Sequence, residues 1–401
     1  MKIAPFCCFA RDFEEKRMKR KMLVCISMLL SLLLLFTGCE GKTEKQASSA
    51  QPKSVAKENL KIGFAHFSDP SDRGYTYNHD CATWKMVENL GLDKSQIINK
   101  YNVPENAEAA TAFRELAEEG CQIIFSTAHG HEDYLIEVAR EYPDITFCHF
   151  NGVKAAESGL PNVHNYFGEI SQVRYLSGVV AGLATKTNKI GYVAAMNYAE
   201  VNNGMDAYYL GAKSVNPGIE VNAVYLNKWF DPALEGQATQ SLIDNDCDVI
   251  SHHADSTAGA TTCQKNGVFF IPYNSDMSSI APDAVLTSVR WDTSNYLTMA
   301  VKAVMDGTQS KIPVDYTGTL KNGMIYLGDI NYALFDEETA SKIKATVESD
   351  IKAFEADERE VFVGPLKDNT GTAILADGEV FAEPRSAPSF GYILEGIKLN
   401  K

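Results

Sequence analysis

Lys61-Ile62-Gly63-Phe64-Ala65-His66-Phe67 and Lys189-Ile190-Gly191-Tyr192-Val193 share the order Lys-Ile-Gly-aromatic-aliphatic, and each opens a run of short β-rich stretches alternating with helical patterns. After the first, Ala107 to Glu119 places Ala109, Ala112, Phe113, Leu116 and Ala117 on one helical face and ends at Gly120. A strand over Gln122–Ser126, a helix over Glu132–Glu141 stopped before Pro143, and a strand over Ile145–Phe150 follow. After the second come helix Asn203–Val215, strand Val221–Leu226, helix Ala233–Asp244, strand Asp248–Ser251, helix Ser256–Lys265 and strand Val268–Pro272. Such alternation predicts parallel sheets covered by helices on both faces. Its repetition predicts an α/β protein of two doubly wound, Rossmann-like lobes.

In open sheets of this kind ligands sit beyond the carboxyl ends of the strands. The segments there are polar and aromatic: Ser68-Asp69, Thr127-Ala128-His129, His149-Phe150-Asn151, Ala195-Met196-Asn197, Trp229-Phe230-Asp231, His253-Ala254-Asp255-Ser256, Tyr273-Asn274-Ser275-Asp276 and Arg290-Trp291-Asp292. A cleft between two lobes lined by Tyr, Trp, Phe, Asp and Asn suits a flat heterocycle. Asp231-Pro232 reads as a helix N-cap with Pro in the first turn.

The chain has 401 residues, 45% hydrophobic and 22% charged, an ordinary globular composition long enough for two domains. The net charge is −15, and residues 40–401 carry 30 basic against 49 acidic groups, a field that argues against nucleic acid as a partner. Lys19-Arg20-Lys21 precede an apolar run, Met22 to Phe36, of about 15 residues, where roughly 20 are needed to span a bilayer. That order is the order of a secretory signal. It ends in Phe36-Thr37-Gly38-Cys39, which resembles a bacterial lipobox and makes Cys39 the expected lipid-attachment site, with residues 1–38 removed and Met18 an alternative start. Glu40 to Asn59, rich in Lys, Ser, Ala, Gln and Glu, reads as a flexible tether. Cys81, Cys121, Cys148, Cys247 and Cys263 read as buried small hydrophobes rather than a disulfide framework.

Phosphate-cradling, serine-hydrolase and common zinc motifs are absent from the sequence. Asp244, Asp246 and Asp248 alternate like a calcium loop, but Val249-Ile250 continue into a strand, so a helix-to-strand turn is the better reading. His252 and His253 are expected to hydrogen-bond at a strand end rather than hold metal. No cofactor is called for.

The segment Asp69-Pro70-Ser71-Asp72-Arg73-Gly74-Tyr75-Thr76-Tyr77-Asn78-His79-Asp80 resembles the Gly-Asp-x-Gly-Trp-Thr-Tyr-x-His-Asp signature of the basic-membrane-protein family, the purine-nucleoside-receptor-like solute-binding lipoproteins of ABC importers. Tyr166-Phe167-Gly168 with Arg174-Tyr175-Leu176-Ser177-Gly178, Trp229-Phe230-Asp231-Pro232, His253-Ala254-Asp255-Ser256, Ser275-Asp276-Met277 and Leu286-Thr287-Ser288 follow in family order, from about residue 60 to Gly364-Pro365. The resemblance implies a type I periplasmic-binding-protein fold, with lobes joined by three crossovers that close on a purine nucleoside or nucleobase without chemistry. It implies lobes of 60–169 plus about 290–315 and 170–289 plus about 316–365, with 366–401 as an extension packing on them.

Carried over by position, the resemblance sets Tyr75 against the base, Trp229 or Phe230 on the opposite face, Asp72 in the first loop, Asp276 at the ligand's polar atoms and Arg290 at the ribose. Asn78, His129, Asp255, Asn274 and Trp291 are further candidates. Tyr75 replaces Trp, Glu169 stands where relatives often have Arg, and Asn274 where nucleoside binders often have Asp, so base and nucleoside both stay open. The implied partners are a purine, a membrane permease and the bilayer reached through Cys39, on the extracytoplasmic face of the cell membrane. A nucleoside-processing enzyme and a purine-sensing receptor are the alternatives.

Overall fold

The computed structural model describes residues 54–400. The expected signal segment, Cys39 and most of the expected tether lie outside the described residues. The tether's last residues are part of the folded body: Val55 donates its N–H to the Met305 carbonyl at 3.1 Å, and Lys57–Asn59 form a 3-10 turn. Val55 packs on the core, and this one apolar side chain in a polar stretch marks where the fold begins.

The first sheet contains β1 (Ile62–Ala65), β2 (Ile97–Lys100), β3 (Ile123–Ser126), β4 (Thr146–Phe150), β5 (Val163–Gly168) and β11 (Asp315–Gly318), in the order β11-β5-β4-β3-β1-β2. The second contains β6 (Lys189–Ala194), β7 (Glu220–Tyr225), β8 (Val249–His253), β9 (Phe269–Ile271) and β13 (Ile397–Leu399), in the order β13-β7-β6-β8-β9. Every ladder in both sheets is parallel. β1, β3 and β4 are buried along their whole length, which explains their mainly apolar character. β2 was missed because Ile97-Ile98-Asn99-Lys100 is a half-buried strand at the sheet's end, too short to show a period.

Helices α1 (Tyr75–Leu90), α2 (Glu108–Glu118), α3 (Glu132–Glu141) and α4 (Ala155–Ser158) belong to the first lobe, and α5 (Ser171–Ala184), α6 (Ala199–Val215), α7 (Pro232–Asp244) and α8 (Ala258–Asn266) to the second. α2 buries the face read from the sequence, with Phe113 and Leu116 fully enclosed. α7 starts as expected: Asp231 accepts from the Leu234 N–H at 3.1 Å with Pro232 in the first turn. Gly178 and Gly211 let α5 and α6 pack backbone to backbone, since a Cβ on either would overlap the carbonyl of Tyr208 or Tyr175.

The chain leaves the first lobe at Gly168. It returns after β10 (Val289–Trp291) to place α9 (Ser294–Asp306) against α1 and β11 in the first sheet, then leaves again through β12 (Ile325–Leu327), which pairs antiparallel with β10, to α10 (Glu337–Glu355) against α5. β11 thus carries the first sheet to Gly318, beyond the crossover expected near residue 315, because Asp315-Tyr316-Thr317-Gly318 has no apolar alternation to announce a strand.

The last segment runs across both lobes. Glu383 accepts from Asn203 of α6 at 2.9 Å, Arg385 pairs with Glu157 of α4 at 2.5 Å, the Ser386 hydroxyl donates to Asp315 of β11, and Leu394 donates its N–H to Asp206 of α6 at 2.9 Å. Cys121, Cys148, Cys247 and Cys263 are buried, whereas Cys81 is exposed on the solvent side of α1, against the reading of all five as core.

Candidate functional site

The carboxyl ends of the two sheets face one cleft, with an empty volume of about 490 Å³ counted out to its mouth. Each wall is built from residues that follow strands. Phe67, Tyr75, Glu105, Ala128, His129 and Asn151 come from the turns and helix start that follow β1, β2, β3 and β4; Glu200, Trp229, His253, Asp255, Tyr273 and Asn274 come from the strand ends, turns and helix start at the exits of β6, β7, β8 and β9. This is where parallel sheets leave strand ends and helix N-termini open to a ligand.

Tyr75 is the first residue of α1, and its hydroxyl donates to the Thr127 carbonyl at the end of β3. The ring is further fixed by the edges of His79 at 4.7 Å and Trp291 at 5.8 Å between centroids. Across the cleft, Trp229 is half-buried in the turn before Asp231, with Tyr198 at 5.9 Å. Tyr273 stands behind it on β9's exit, with the His253 ring edge-on at 4.5 Å. Asn151 and Asn274 both have left-handed backbones, φ 63° and 68°, a conformation Asn tolerates better than other side chains with a Cβ.

The polar groups form two clusters. Asn151 donates to Glu200 at 2.6 Å, a bond from one lobe to the other, and His253 Nε2 lies 3.5 Å from the same carboxylate. Burial alone raises the Glu200 pKa, but the contact with His253, the charge of His129 and the Asn151 donor outweigh it and hold the group below the usual carboxylate range. His253 is lowered by burial. In the second cluster Trp291 Nε1 donates to Asn274 Oδ1 and Asn274 Nδ2 donates to Asp255 Oδ1, each at 2.8 Å. Burial first, then the charges of Asp72 and Glu235, push Asp255 well above the carboxyl range.

The lobes touch beside this site. The Ser275 hydroxyl donates to the Arg73 carbonyl at 2.6 Å, and Gly74 lies so close to Asp255 that an added Cβ would stand 2.5 Å from its carbonyl oxygen.

Of the residues expected to bind, Tyr75, Trp229, His129, Asp255 and Asn274 line the cleft, and Asp72, Asn78, Phe230, Asp276, Arg290 and Trp291 do not. Asp72 accepts from the N–H groups of Gly74, Thr76 and Tyr77 and so anchors the start of α1. Asn78 donates to the Trp291 carbonyl at 2.8 Å, and Trp291 in turn orients Asn274. Phe230 is 47% exposed and does not line the cleft, because the two aromatics follow β7 in a bend and only Trp229 joins the wall. Asp276 caps the turn at Ser278, and Arg290 lies over the Tyr326 ring at 5.6 Å on the β10–β12 ribbon.

Six lining residues besides Ala128 were not among the expected ligand-binding residues, though His253 was expected to hydrogen-bond at a strand end. Asn151, His253 and Tyr273 stood in strand-end segments, which was the available signal; Phe67 ended an expected strand that stops at Ala65; Glu105 had no signal. Glu200 was hidden because α6 begins at Ala199, one turn before the expected Asn203.

Residues 59–360 match the family described as "ABC transporter substrate-binding protein PnrA-like". A purine-binding protein of Brucella abortus is 35% identical over 85% of this chain and 94% of its own length. A putative ABC transporter glucose-binding protein of Haloferax volcanii is 32% identical over 63% of this chain and 62% of its own. Among solved structures, an ABC transporter solute-binding protein of Conexibacter woesei superposes with a TM-score of 0.60 at 18% identity, over 76% of this chain and 98% of that one. With two parallel sheets opening on one cleft and the match covering most of its length, the chain belongs to the PnrA-like family of ABC transporter substrate-binding proteins.

Proposed function

We propose that this chain is a lipid-anchored, extracytoplasmic receptor that captures a purine nucleoside or nucleobase in the interlobe cleft and presents it to a membrane permease. The observation that carries the reading is the chemistry of the walls. Phe67 and Tyr75 on one side and Trp229 and Tyr273 on the other give aromatic surface to a planar ring, and Glu105, Glu200 and Asp255 accept hydrogen bonds. No Lys or Arg is among the described residues lining the cleft. A phosphate would meet carboxylates and neither Lys nor Arg, so a nucleoside or base fits better than a nucleotide.

The name of the Brucella relative supports this ligand class. The Haloferax name makes glucose the control to run beside it. Tyr75 and Trp229 are the proposed stacking residues, and Asp255 and Glu200 the groups that read donors on the base edge or the ribose.

Native mass spectrometry of protein extracted from membranes tests ligand and anchor together. It should release a purine on denaturation and show a diacylglyceryl mass on Cys39. Added adenosine should be recovered intact by chromatography. A released hexose would refute the purine assignment, and free adenine formed from adenosine would replace capture by catalysis.

A further inference from the structure

Arg174 on α5 is fully buried, with no carboxylate within 4.0 Å among the described residues. Its Nη1 donates to the His252 carbonyl at 3.0 Å, while Nε and Nη2 have no partner. The guanidinium instead lies over the Tyr273 ring, 4.2 Å from the centroid, with Tyr192 at 5.4 Å. An unpaired buried cation is costly, and an apolar side chain of similar volume would pack there at less cost. Its charge therefore points to a use beyond packing.

That use is found at the cleft. Tyr273 lines the cleft, and its hydroxyl has no hydrogen-bond partner among the described residues although it is not among the fully buried polar atoms. Of the neighbouring polar groups, the Tyr75 hydroxyl is given to Thr127, one amide hydrogen each of Asn151 and Asn274 goes to Glu200 and Asp255, Glu105 and Glu200 are acceptors, Asp255 with its raised pKa can donate as well as accept, and His253 has its Nε2 beside Glu200. His129 is exposed and Trp229 half-buried, whereas the Tyr273 ring is held between Arg174 and the edge of His253, which makes its hydroxyl a rigidly placed donor in the cleft.

We infer that the Tyr273 hydroxyl, with Arg174 stacked on its ring, is a specificity group that donates a hydrogen bond to an aza nitrogen of the bound heterocycle. This rests on the purine reading above and deepens it. Purine ring nitrogens are acceptors that the carboxylates cannot satisfy. A cation over the phenol draws electron density from the ring and makes the hydroxyl a stronger donor, while the stack fixes its direction. Arg174 acts through Tyr273 and is a positioning residue.

The test is calorimetry of the unmodified protein, Tyr273→Phe, Arg174→Met, Arg174→Lys and the Tyr273→Phe/Arg174→Met double variant with adenosine and its 1-, 3- and 7-deaza analogues. Tyr273→Phe should bind adenosine about five- to tenfold more weakly, the worth of one hydrogen bond. One deaza analogue should show the same loss on the unmodified protein and no further loss on Tyr273→Phe. Arg174→Met should weaken adenosine in the Tyr273 background and not in the Phe background, and Arg174→Lys should recover part of the affinity. Equal binding of adenosine by the unmodified protein and Tyr273→Phe would overturn the assignment. Equal weakening of every analogue by Arg174→Met, in both backgrounds, would reduce the guanidinium to packing and overturn its part. If the unmodified protein binds no purine, the purine reading fails and this inference falls with it, a result distinct from equal affinities.

Discussion

Gly74→Ala should block closure of the cleft while leaving each lobe folded. The added Cβ would stand 2.5 Å from the Asp255 carbonyl oxygen and 3.0 Å from its Cα. A carbon-to-oxygen contact relaxes at about 3.3–3.6 Å, so the lobes must part by about 1 Å at this point. Both partners are backbone, so no rotamer can relieve the contact. Overpacking of this kind costs about 1–3 kcal/mol. Parting the lobes also stretches the 2.6 Å bond from Ser275 to the Arg73 carbonyl beyond hydrogen-bonding range, about 1 kcal/mol more. A ligand that binds the closed form sees that population reduced by the same amount. Together, about 2–4 kcal/mol predicts a dissociation constant roughly 30- to 1,000-fold higher. Calorimetry with adenosine measures it, and small-angle scattering should show a ligand-bound radius of gyration larger than the parent's. A dissociation constant within twofold of the parent, at an unchanged melting temperature, would refute the reasoning.

Trp229→Ala should weaken purine binding by about five- to 150-fold, if a stacked base is worth roughly 1–3 kcal/mol here as on single-strand binders. Phe230→Ala, Asp276→Ala and Arg290→Ala should stay within twofold, since none of those side chains lines the cleft; equilibrium dialysis with labelled adenosine separates the two groups. Glu169, at the first crossover, is raised to about 7 by burial and by the charges of Glu360, Glu383 and Asp357. The folded state therefore holds a proton that the unfolded chain releases near 4.5, so stability falls as pH rises between those values and the whole cost is felt above about 7. Glu169→Gln should then raise the melting temperature at pH 8 and leave it nearly unchanged at pH 4; calorimetric scans at both values check it.

The alternation of strands and helices was legible where a buried parallel strand is rich in apolar residues, as in Ile123-Ile124-Phe125, and a covering helix is amphipathic, as in Glu108–Glu118. Strands at the ends of the first sheet were not, because β2 and β11 bury little and are held by backbone pairing that leaves no pattern. At the site, strand-end position was a better guide than residue type. It found the segments holding Trp229, Asp255 and Tyr273, but local sequence could not say which way each side chain turns: Trp229 goes in and Phe230 out. Asp72 shows the same limit, an acid in the right loop whose oxygens are taken by three backbone N–H groups. Arg174 was hidden for another reason. Its partners Tyr192, Ser251, His252 and Tyr273 come from β6, β8 and the turn after β9, which meet only in the folded sheet.

The segment from Glu383 to Leu399 lies beyond residue 360, where the family match ends, and is fastened to α4 and β11 in one lobe and to α6 and β7 in the other. A ribbon sewn to both halves of a hinged body acts as a stop on its travel. Glu383 on Asn203 and Arg385 and Ser386 on Glu157 and Asp315 stand two to three residues apart, so further opening must tear one set of stitches or the other. Amide exchange at Ser386, whose N–H faces Asp315, and at Leu394, whose N–H is held by Asp206, thus tells which side gives way.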